Sequence, residues 1–228
     1  MAKKGKKYIE SVKKVEKNKE YNLIDGIGVI KDTNYTKFDA SLEGHFNIKY
    51  KSIQNVRGVI NLPHGTGKKV RILVFAKGEK AEEAKKAGAD YVGDNDYIKK
   101  IQEGWMDFDV VVSTPDVMKD VGKLGAILGK KGLMPKPKAG TVTNDVTAIV
   151  KQLRAGRIEY KADKTGVIHV GLGKLSFDDN KLHENVMTAF NGIVKDKPTD
   201  AKGEYVVGMY IAGTMSPSVK IDIKELRK

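Results

Sequence analysis

The sequence predicts an α+β domain formed by both ends of the chain, with an α/β domain inserted between them. Residues 41–50 (SLEGHFNIKY) alternate apolar and polar side chains, as a half-exposed strand does. Residues 70–76 (VRILVFA) form a nearly continuous apolar run, which is typical of a strand buried on both faces of a parallel sheet. The alternating pattern returns from residue 157. We therefore expect one domain to interrupt the other.

The first part of the chain predicts helices followed by exposed strands. Tyr8, Ile9, Val12 and Val15 recur at helical spacing. A second helix over 22–31 contains two glycines, each of which should weaken it by roughly 0.5–1 kcal/mol relative to alanine. In the strand over 41–50, Leu42, Phe46 and Ile48 lie on the side expected to be buried. A further alternating stretch, NVRGVINLP (55–63), ends at the turn HGTG.

From residue 68 the pattern changes to strands alternating with helices. The run at 70–76 is followed by a helix (80–88), a short strand (90–93), a helix (94–104) and a buried strand (108–113). Thr114 as N-cap and Pro115 at the first helical position predict another helix over 115–128. This order is the βαβαβ pattern of a parallel sheet.

The last part of the chain returns to exposed strands. RIEYKA and VIHVGL flank the turn DKTG (163–166) and predict a hairpin. A helix follows, and strands at 204–214 and 219–223 close the chain. The helix should bury the residues Leu182, Val186, Phe190 and Ile193.

Charge and composition restrict the partners. Lys and Arg number 42 against 29 Asp and Glu, a net charge of +13, which indicates an anionic partner, either nucleic acid or a membrane surface. No apolar run approaches the roughly 20 residues of a membrane helix, and the basic N-terminus has too small an apolar face for firm membrane docking. It also lacks the apolar core of a secretory signal, so we expect a cytoplasmic protein that binds nucleic acid.

The sequence contains no complete motif of a known catalytic or cofactor-binding site. LPHGTGKK has Leu62 and Lys69 where a phosphate-binding loop requires glycine and a hydroxyl residue. GLGKLS (171–176) lacks the last glycine of a dinucleotide fingerprint. The four histidines have no metal-ligand spacing, and there is no cysteine. We therefore predict neither an enzyme nor a site for a metal or cofactor.

Several long segments resemble a known family. QNVRGVINLPHGTGK, GWMDFDVVVSTPDVM, LGKKGLMPKPKAGTV, DKTG with VIH, and GTMSPSV are similar to the L-one family of bacterial large-subunit ribosomal proteins, almost end to end. The resemblance implies an α+β RNA-binding domain over 1–67 plus 158–228 and an inserted Rossmann-like, three-layer α/β domain over 68–157. The two chain crossings between them would act as a hinge.

The resemblance also implies partners. A member of this family is part of the large ribosomal subunit and binds large-subunit ribosomal RNA at the base of a mobile stalk. It lies beside the exit site, helps to release deacylated transfer RNA, and represses its own messenger RNA. The charge alone leaves an alternative open, a general basic nucleic-acid-binding regulator without RNA specificity.

Three separated segments would converge on one sheet surface to form the RNA site that the resemblance implies. Hydroxyls and a carboxylate suit ribose 2′-OH groups, and apolar side chains suit sugars and bases. The residues are Lys37, Phe38, Ser41 and Glu43, then Asp163, Lys164 and Thr165, and finally Thr214, Met215, Ser216 and Pro217. The family usually has glycine at the position of Ser216, which leaves that contact in doubt if a bare Cα is needed.

The basic segment LGKKGLMPKPKAG (128–140) has two interpretations. Its glycines and prolines favour a structural role, with Gly129 and Gly132 ending a helix and the two prolines holding an extended crossing that packs Leu133 and Met134. Its lysines would be secondary RNA contacts: Lys130, Lys131, Lys136 and Lys138. Relatives usually have proline at residue 130 and asparagine at residue 136. The two lysines of this chain should therefore add charge attraction to RNA phosphates at these positions.

Overall fold

The computed structural model describes residues 5–16, 19–50, 56–199, 201 and 203–227, although the side chain of Lys138 lies outside the description. The chain divides into two compact units, residues 1–67 with 156–228 and residues 68–155. Both units contain helices and sheets, so the predicted mixed α and β composition is confirmed.

The first unit is built on a five-stranded sheet with the order β1-β10-β9-β2-β8. Strand β1 runs parallel to β10, and the other neighbours are antiparallel. A separate antiparallel pair, β3 and β7, lies beside it. The strands are β1 (Glu20–Tyr21), β2 (Ser41–Ile48), β3 (Arg57–Asn61), β7 (Arg157–Lys161), β8 (Val167–Lys174), β9 (Val206–Gly213) and β10 (Ser218–Ile221), and the helices are α1 (Lys6–Lys13), α2 (Leu23–Thr33), α8 (Asp179–Lys195) and the 3₁₀ helix Glu225–Arg227.

Helices α2 and α8 bury one face of this sheet. Along β2 the residues alternate as predicted, with Leu42, Phe46 and Ile48 buried and Glu43 exposed. The four apolar residues predicted to face the core from α8 are all buried. The opposite face of the sheet carries polar side chains, so the period of two in the sequence determines which face can meet a partner.

One expectation for this unit was wrong in part. Strand β7 pairs with β3, and β8 pairs with β2, so the predicted hairpin is reduced to a single bridge between Ala162 and Ile168. Helix α1 forms, but Ile9 is 45% exposed, and the buried residue is Ser11, whose hydroxyl donates to the carbonyl of Thr33. Val15, just after the helix, packs against the core of this unit.

The second unit contains a three-stranded parallel sheet with the order β5-β4-β6. All of β4 is buried, as the continuous apolar run predicts. The strands are β4 (Ile72–Phe75), β5 (Tyr91–Gly93) and β6 (Val110–Ser113), and the helices are α3 (Glu79–Lys86), α4 (Asn95–Gln102), α5 (Met118–Val121), α6 (Gly125–Leu128), α7 (Val146–Ala155) and the 3₁₀ helices Gly122–Leu124 and Pro137–Ala139.

The predicted helix over 115–128 is broken into pieces. A turn occupies 115–117, and α5 and α6 are separated by a 3₁₀ segment that begins at Gly122. Gly122 and Gly125 both lie in this stretch, and glycine is about 1 kcal/mol less favourable than alanine inside a helix. The apolar spacing correctly predicted helical segments in this stretch, but the two glycines disfavour one continuous helix.

Most of the structural features predicted for the basic segment after α6 are present. Gly129 caps α6, Gly132 has a positive φ of 73°, and the amide of Leu133 donates to the carbonyl of Leu128. Leu133 and Met134 pack against the core of this unit. The prediction of an extended crossing is wrong at Pro137, because this residue begins a 3₁₀ turn.

Candidate nucleic-acid interface

Two of the three predicted segments meet where the neighbouring inner strands β2 and β9 begin and end, respectively. Ser41 begins β2, and Thr214 directly follows β9. The amide of Ser41 donates to Oγ1 of Thr214 at 3.1 Å, and the amide of Thr214 donates to the carbonyl of Ser41 at 3.0 Å. These reciprocal bonds join segments that are far apart in sequence. We call Lys37, Phe38, Ser41, Thr214 and Met215 the corner cluster.

The corner cluster exposes two large apolar side chains. Phe38 is 57% exposed and Met215 is 63% exposed. Met215 also has a positive φ of 71°, a conformation that costs a residue with a Cβ roughly 1–2 kcal/mol. The hydroxyl of Tyr35 donates to the carbonyl of Met215 at 2.8 Å and holds this turn. Strained backbone and exposed apolar groups at one place are features of a binding surface.

The other two residues of this segment have a structural position. Pro217 is buried, and the hydroxyl of Ser216 is buried without a hydrogen-bond partner among the described residues. Both were predicted to contact RNA, but their side chains face into the protein because the turn at Met215 directs them inward. The left-handed conformation lies at Met215, so residue 216 needs no glycine for its backbone.

Supporting contacts of the corner cluster were not predicted from the sequence. Nζ of Lys174 donates to Oγ of Ser41 at 2.9 Å. The carboxylate of Asp39 accepts from the hydroxyl of Ser176 at 2.8 Å and from its amide at 3.2 Å. These partners are more than 130 residues apart along the chain, and no local pattern signals such contacts.

The third segment forms a tight turn between β7 and β8. Oδ1 of Asp163 accepts from the amides of Thr165 and Val167, both at 2.8 Å, and from the hydroxyl of Thr165. The bond from the Val167 amide, followed by that from the Thr165 hydroxyl, lowers the pKa of Asp163 well below its usual range. Lys164 and Thr165 are exposed at the tip. Asp163 therefore shapes the turn, and its neighbours can contact a partner.

This turn lies at the opposite end of β2 from the corner cluster. In the β2–β8 register, Ser41 pairs with Lys174, whereas Asn47 pairs with Val167, directly after the turn. Six residues of strand separate the two positions, which corresponds to about 20 Å. The antiparallel pairing therefore sends the turn to the far end of β2, away from the corner cluster. Both sites nevertheless border the same exposed face.

A pair of histidines lies on this face between the two ends. Nδ1 of His45 and Nδ1 of His169 are 2.8 Å apart, and Nε2 of His169 is 3.5 Å from Oδ2 of Asp163. Burial, and secondarily His169, lower the pKa of His45. The exposed Glu43 is on the same strand face as His45. Local sequence patterns do not predict this pair, because the two histidines lie 124 residues apart along the chain.

The lysines of the basic segment lie in the second unit. Lys130 and Lys131 are exposed. Lys136 is half-buried, and its amide donates to Oγ1 of Thr141 at 2.8 Å. The side chain of Lys138 lies outside the described residues. The arrangement leaves at least two of these cations open to a polyanion.

Among the described residues, no group of three or more His, Asp or Glu side chains is arranged to hold a metal ion. Within the described ranges, none of the helices has the length and apolar character needed to cross a membrane.

Comparison with known proteins gives a match over most of the chain. The model of the ribosomal protein L1p/L10e family matches residues 30–217. Two strains of Leptospira biflexa serovar Patoc, Patoc 1 / Ames and Patoc 1 / Paris, each have a protein described as large ribosomal subunit protein uL1. Each is 58% identical to this chain over 224 residues, which cover 98% of this chain and 97% of the relative.

Proposed function

The chain belongs to the ribosomal protein L1p/L10e family, and from this premise we propose that it binds large-subunit ribosomal RNA at the base of a mobile stalk, beside the exit site. The proteins of this family are ribosomal components and not enzymes, which agrees with the failed catalytic motifs. Like its relatives in Leptospira biflexa, the protein belongs to the large ribosomal subunit, in the cytoplasm.

The corner cluster is the observation that carries this proposal. Phe38 and Met215 offer apolar surface to sugars and bases. The hydroxyl of Thr214 and, beside the cluster on β2, the carboxylate of Glu43 can bind ribose 2′-OH groups. Hydrogen bonds between the segments hold these groups in place before RNA arrives, which reduces the entropy lost on binding. Lys37 and Lys164 add attraction for phosphates without sequence information.

The two units would have different roles in this proposal. The domain over 1–67 plus 158–228 provides the main RNA contact, and the inserted Rossmann-like domain over 68–157 provides secondary contacts through Lys130, Lys131, Lys136 and Lys138. The two chain crossings form a hinge that lets the protein follow the stalk as deacylated transfer RNA leaves the exit site.

We propose that the same surface also serves in repression of translation. A messenger RNA of this protein that mimics the stalk structure would occupy the corner cluster in place of ribosomal RNA. Because both RNAs would use the same contacts, substitutions in the corner cluster should weaken both interactions in parallel.

Binding of a stalk fragment to single variants tests the site. We expect Phe38→Ala and Met215→Ala each to weaken binding by roughly 5- to 100-fold, since contacts of this kind contribute about 1–3 kcal/mol. Both side chains are mostly exposed, so thermal unfolding should change little. Ile24→Ala is the matched control, because Ile24 is 60% exposed on α2, which covers the opposite face of the sheet. Unchanged affinity in both cluster variants would reject the site.

The net charge of +13 supports one second candidate, a general basic nucleic-acid-binding regulator. Such a protein would bind unrelated RNAs with equal affinity through phosphate contacts alone, and binding would collapse as salt rises. Substitutions at Phe38 and Met215 would then have little effect, since neither residue carries charge. The same variant series therefore separates the two functions.

A further inference from the structure

A row of side chains crosses the whole five-stranded sheet on its exposed face. In the strand registers, His169 of β8 pairs with His45 of β2, His45 pairs with Tyr210 of β9, Tyr210 pairs with Lys220 of β10, and Lys220 pairs with Glu20 of β1. Residues directly opposite each other in a sheet point to the same face, with Cβ atoms about 5 Å apart. We call His169, His45 and Tyr210 the ring row.

The ring row is open to a partner. His169 is exposed, and His45 and Tyr210 are partly exposed. Their chain neighbours on both sides, such as Phe46 and Met209, are buried against the helices. Three ring side chains on adjacent strands therefore form a surface roughly 10 Å across.

The ring row lies between the two proposed contact regions. His45 is four residues beyond Ser41 of the corner cluster and two residues before Asn47, which pairs with Val167 beside the turn at 163–165. An RNA that touches both regions must cover about 20 Å of strand and pass over the rings. The ring row therefore lies on the path of any RNA that contacts both regions.

The charges beside the ring row indicate which part of an RNA it can accept. Glu43 precedes it on β2, and the carboxylate of Asp163 lies 3.5 Å from Nε2 of His169. At the far end, Glu20 pairs with Lys220 at 2.6 Å, so that lysine is not an unopposed cation. Carboxylates repel phosphates but accept hydrogen bonds from base amino groups and ribose hydroxyls. Ring side chains flanked by carboxylates therefore suit bases and sugars.

We propose that the ring row is part of the RNA interface and receives unpaired bases of the RNA segment that joins the two ends of the site. This inference rests on the proposed function, because it assumes that one RNA reaches both the corner cluster and the turn. Sheet surfaces with ring side chains on neighbouring strands bind bases by stacking, and the edges of the imidazoles add hydrogen bonds. Burial, and secondarily His169, lower the pKa of His45, which disfavours the charged form of its ring.

The test compares variants of the full chain in binding to a stalk RNA fragment. We expect His169→Ala and Tyr210→Ala each to weaken binding at least about fivefold, the lower limit for the loss of one stacked base. His183→Ala is the control, since it removes a histidine from α8, which covers the opposite face, and should leave affinity unchanged. Phe38→Ala is measured beside them.

Imidazole proton signals of the unmodified protein provide a second readout that does not depend on the folding of a variant. Addition of RNA should shift the signals of His45 and His169 and leave that of His183 in place. The inference is overturned if both ring variants bind normally and these signals do not move while Phe38→Ala weakens binding. If Phe38→Ala and the ring variants all bind normally, the proposed function itself fails at this surface.

Discussion

Removal of the Tyr35 hydroxyl tests whether a hydrogen bond pre-organises the corner cluster for RNA binding. The hydroxyl donates to the carbonyl of Met215 at 2.8 Å, across 180 residues of sequence. Met215 is the residue with a positive φ in this turn. Tyr35→Phe removes the donor and keeps the ring, so the change isolates a single hydrogen bond.

The size of the effect can be worked out from these contacts. The hydrogen bond contributes about 0.5–1.5 kcal/mol, comparable with the roughly 1–2 kcal/mol that the left-handed conformation costs Met215. Without it the turn samples other conformations, and RNA binding must restore the bound one. We expect affinity for the stalk fragment to fall about 2- to 10-fold. Global stability should fall by less than about 1 kcal/mol, because the bond is exposed and water replaces it.

The assay is RNA binding together with urea unfolding for two matched variants. Tyr160→Phe makes the same chemical change at a partly buried hydroxyl that donates to Asp196 at 2.7 Å. It should lower stability by about 1 kcal/mol and leave RNA affinity unchanged. The reasoning is refuted if Tyr35→Phe binds RNA like the unmodified protein, or if Tyr160→Phe weakens binding to the same degree.

Other substitutions test packing and electrostatics by urea unfolding. Gly28→Ala should stabilise the protein by roughly 0.5–1 kcal/mol, because a Cβ at this helical position has open space. Gly26→Ala should show no such gain, because its Cβ would lie 2.5 Å from Cδ1 of the buried Ile221. Ser216→Ala should maintain stability or raise it by about 1 kcal/mol, because its buried hydroxyl has no partner within the described chain; a clear loss would indicate a partner. The hydrogen bond from Lys68 lowers the pKa of Asp109 to about 2, so its carboxylate stabilises the protein above about pH 4, and the effect disappears as pH falls towards 2. Asp109→Asn should therefore cost on the order of 1 kcal/mol at pH 7, a value reduced for the exposure of Lys68, and progressively less on acidification.

Periodicity predicted those parts of the fold that depend on local sequence. The alternation around Phe46 and the apolar run ending at Phe75 were interpreted correctly, because burial on one face or on both leaves a direct pattern of side chains. The broken helix after Thr114 was missed because apolar spacing was given more weight than the glycines at 122 and 125.

Local sequence patterns could not predict which strands pair with each other. RIEYKA and VIHVGL look like the arms of one hairpin, but β7 is paired with β3, which lies about 100 residues earlier in the chain. Local patterns also could not show that the turn at Asp163 lies at the other end of β2 from the corner cluster. Pairing depends on tertiary packing, so spacing alone could not determine it.

The candidate site was predicted by resemblance, and its geometry became clear only in three dimensions. Phe38 and Met215 lie exposed, where a contact residue should be. By contrast, Pro217 and the hydroxyl of Ser216 are buried, after the left-handed turn at Met215. Tyr35 was missed because nothing in the sequence around it indicates a bond to a carbonyl 180 residues away.

Binding of the purified protein to the stalk fragment of its own ribosomal RNA tests the central claim most directly. The comparison is a scrambled hairpin of equal length, measured at low and at physiological salt. We predict that the stalk fragment binds far more tightly and keeps its advantage as salt rises, because the corner cluster recognises bases and sugars. If both RNAs bind in the range of about 1 µM to 0.1 mM and weaken together, the net charge of +13 accounts for the binding and the proposed recognition is contradicted.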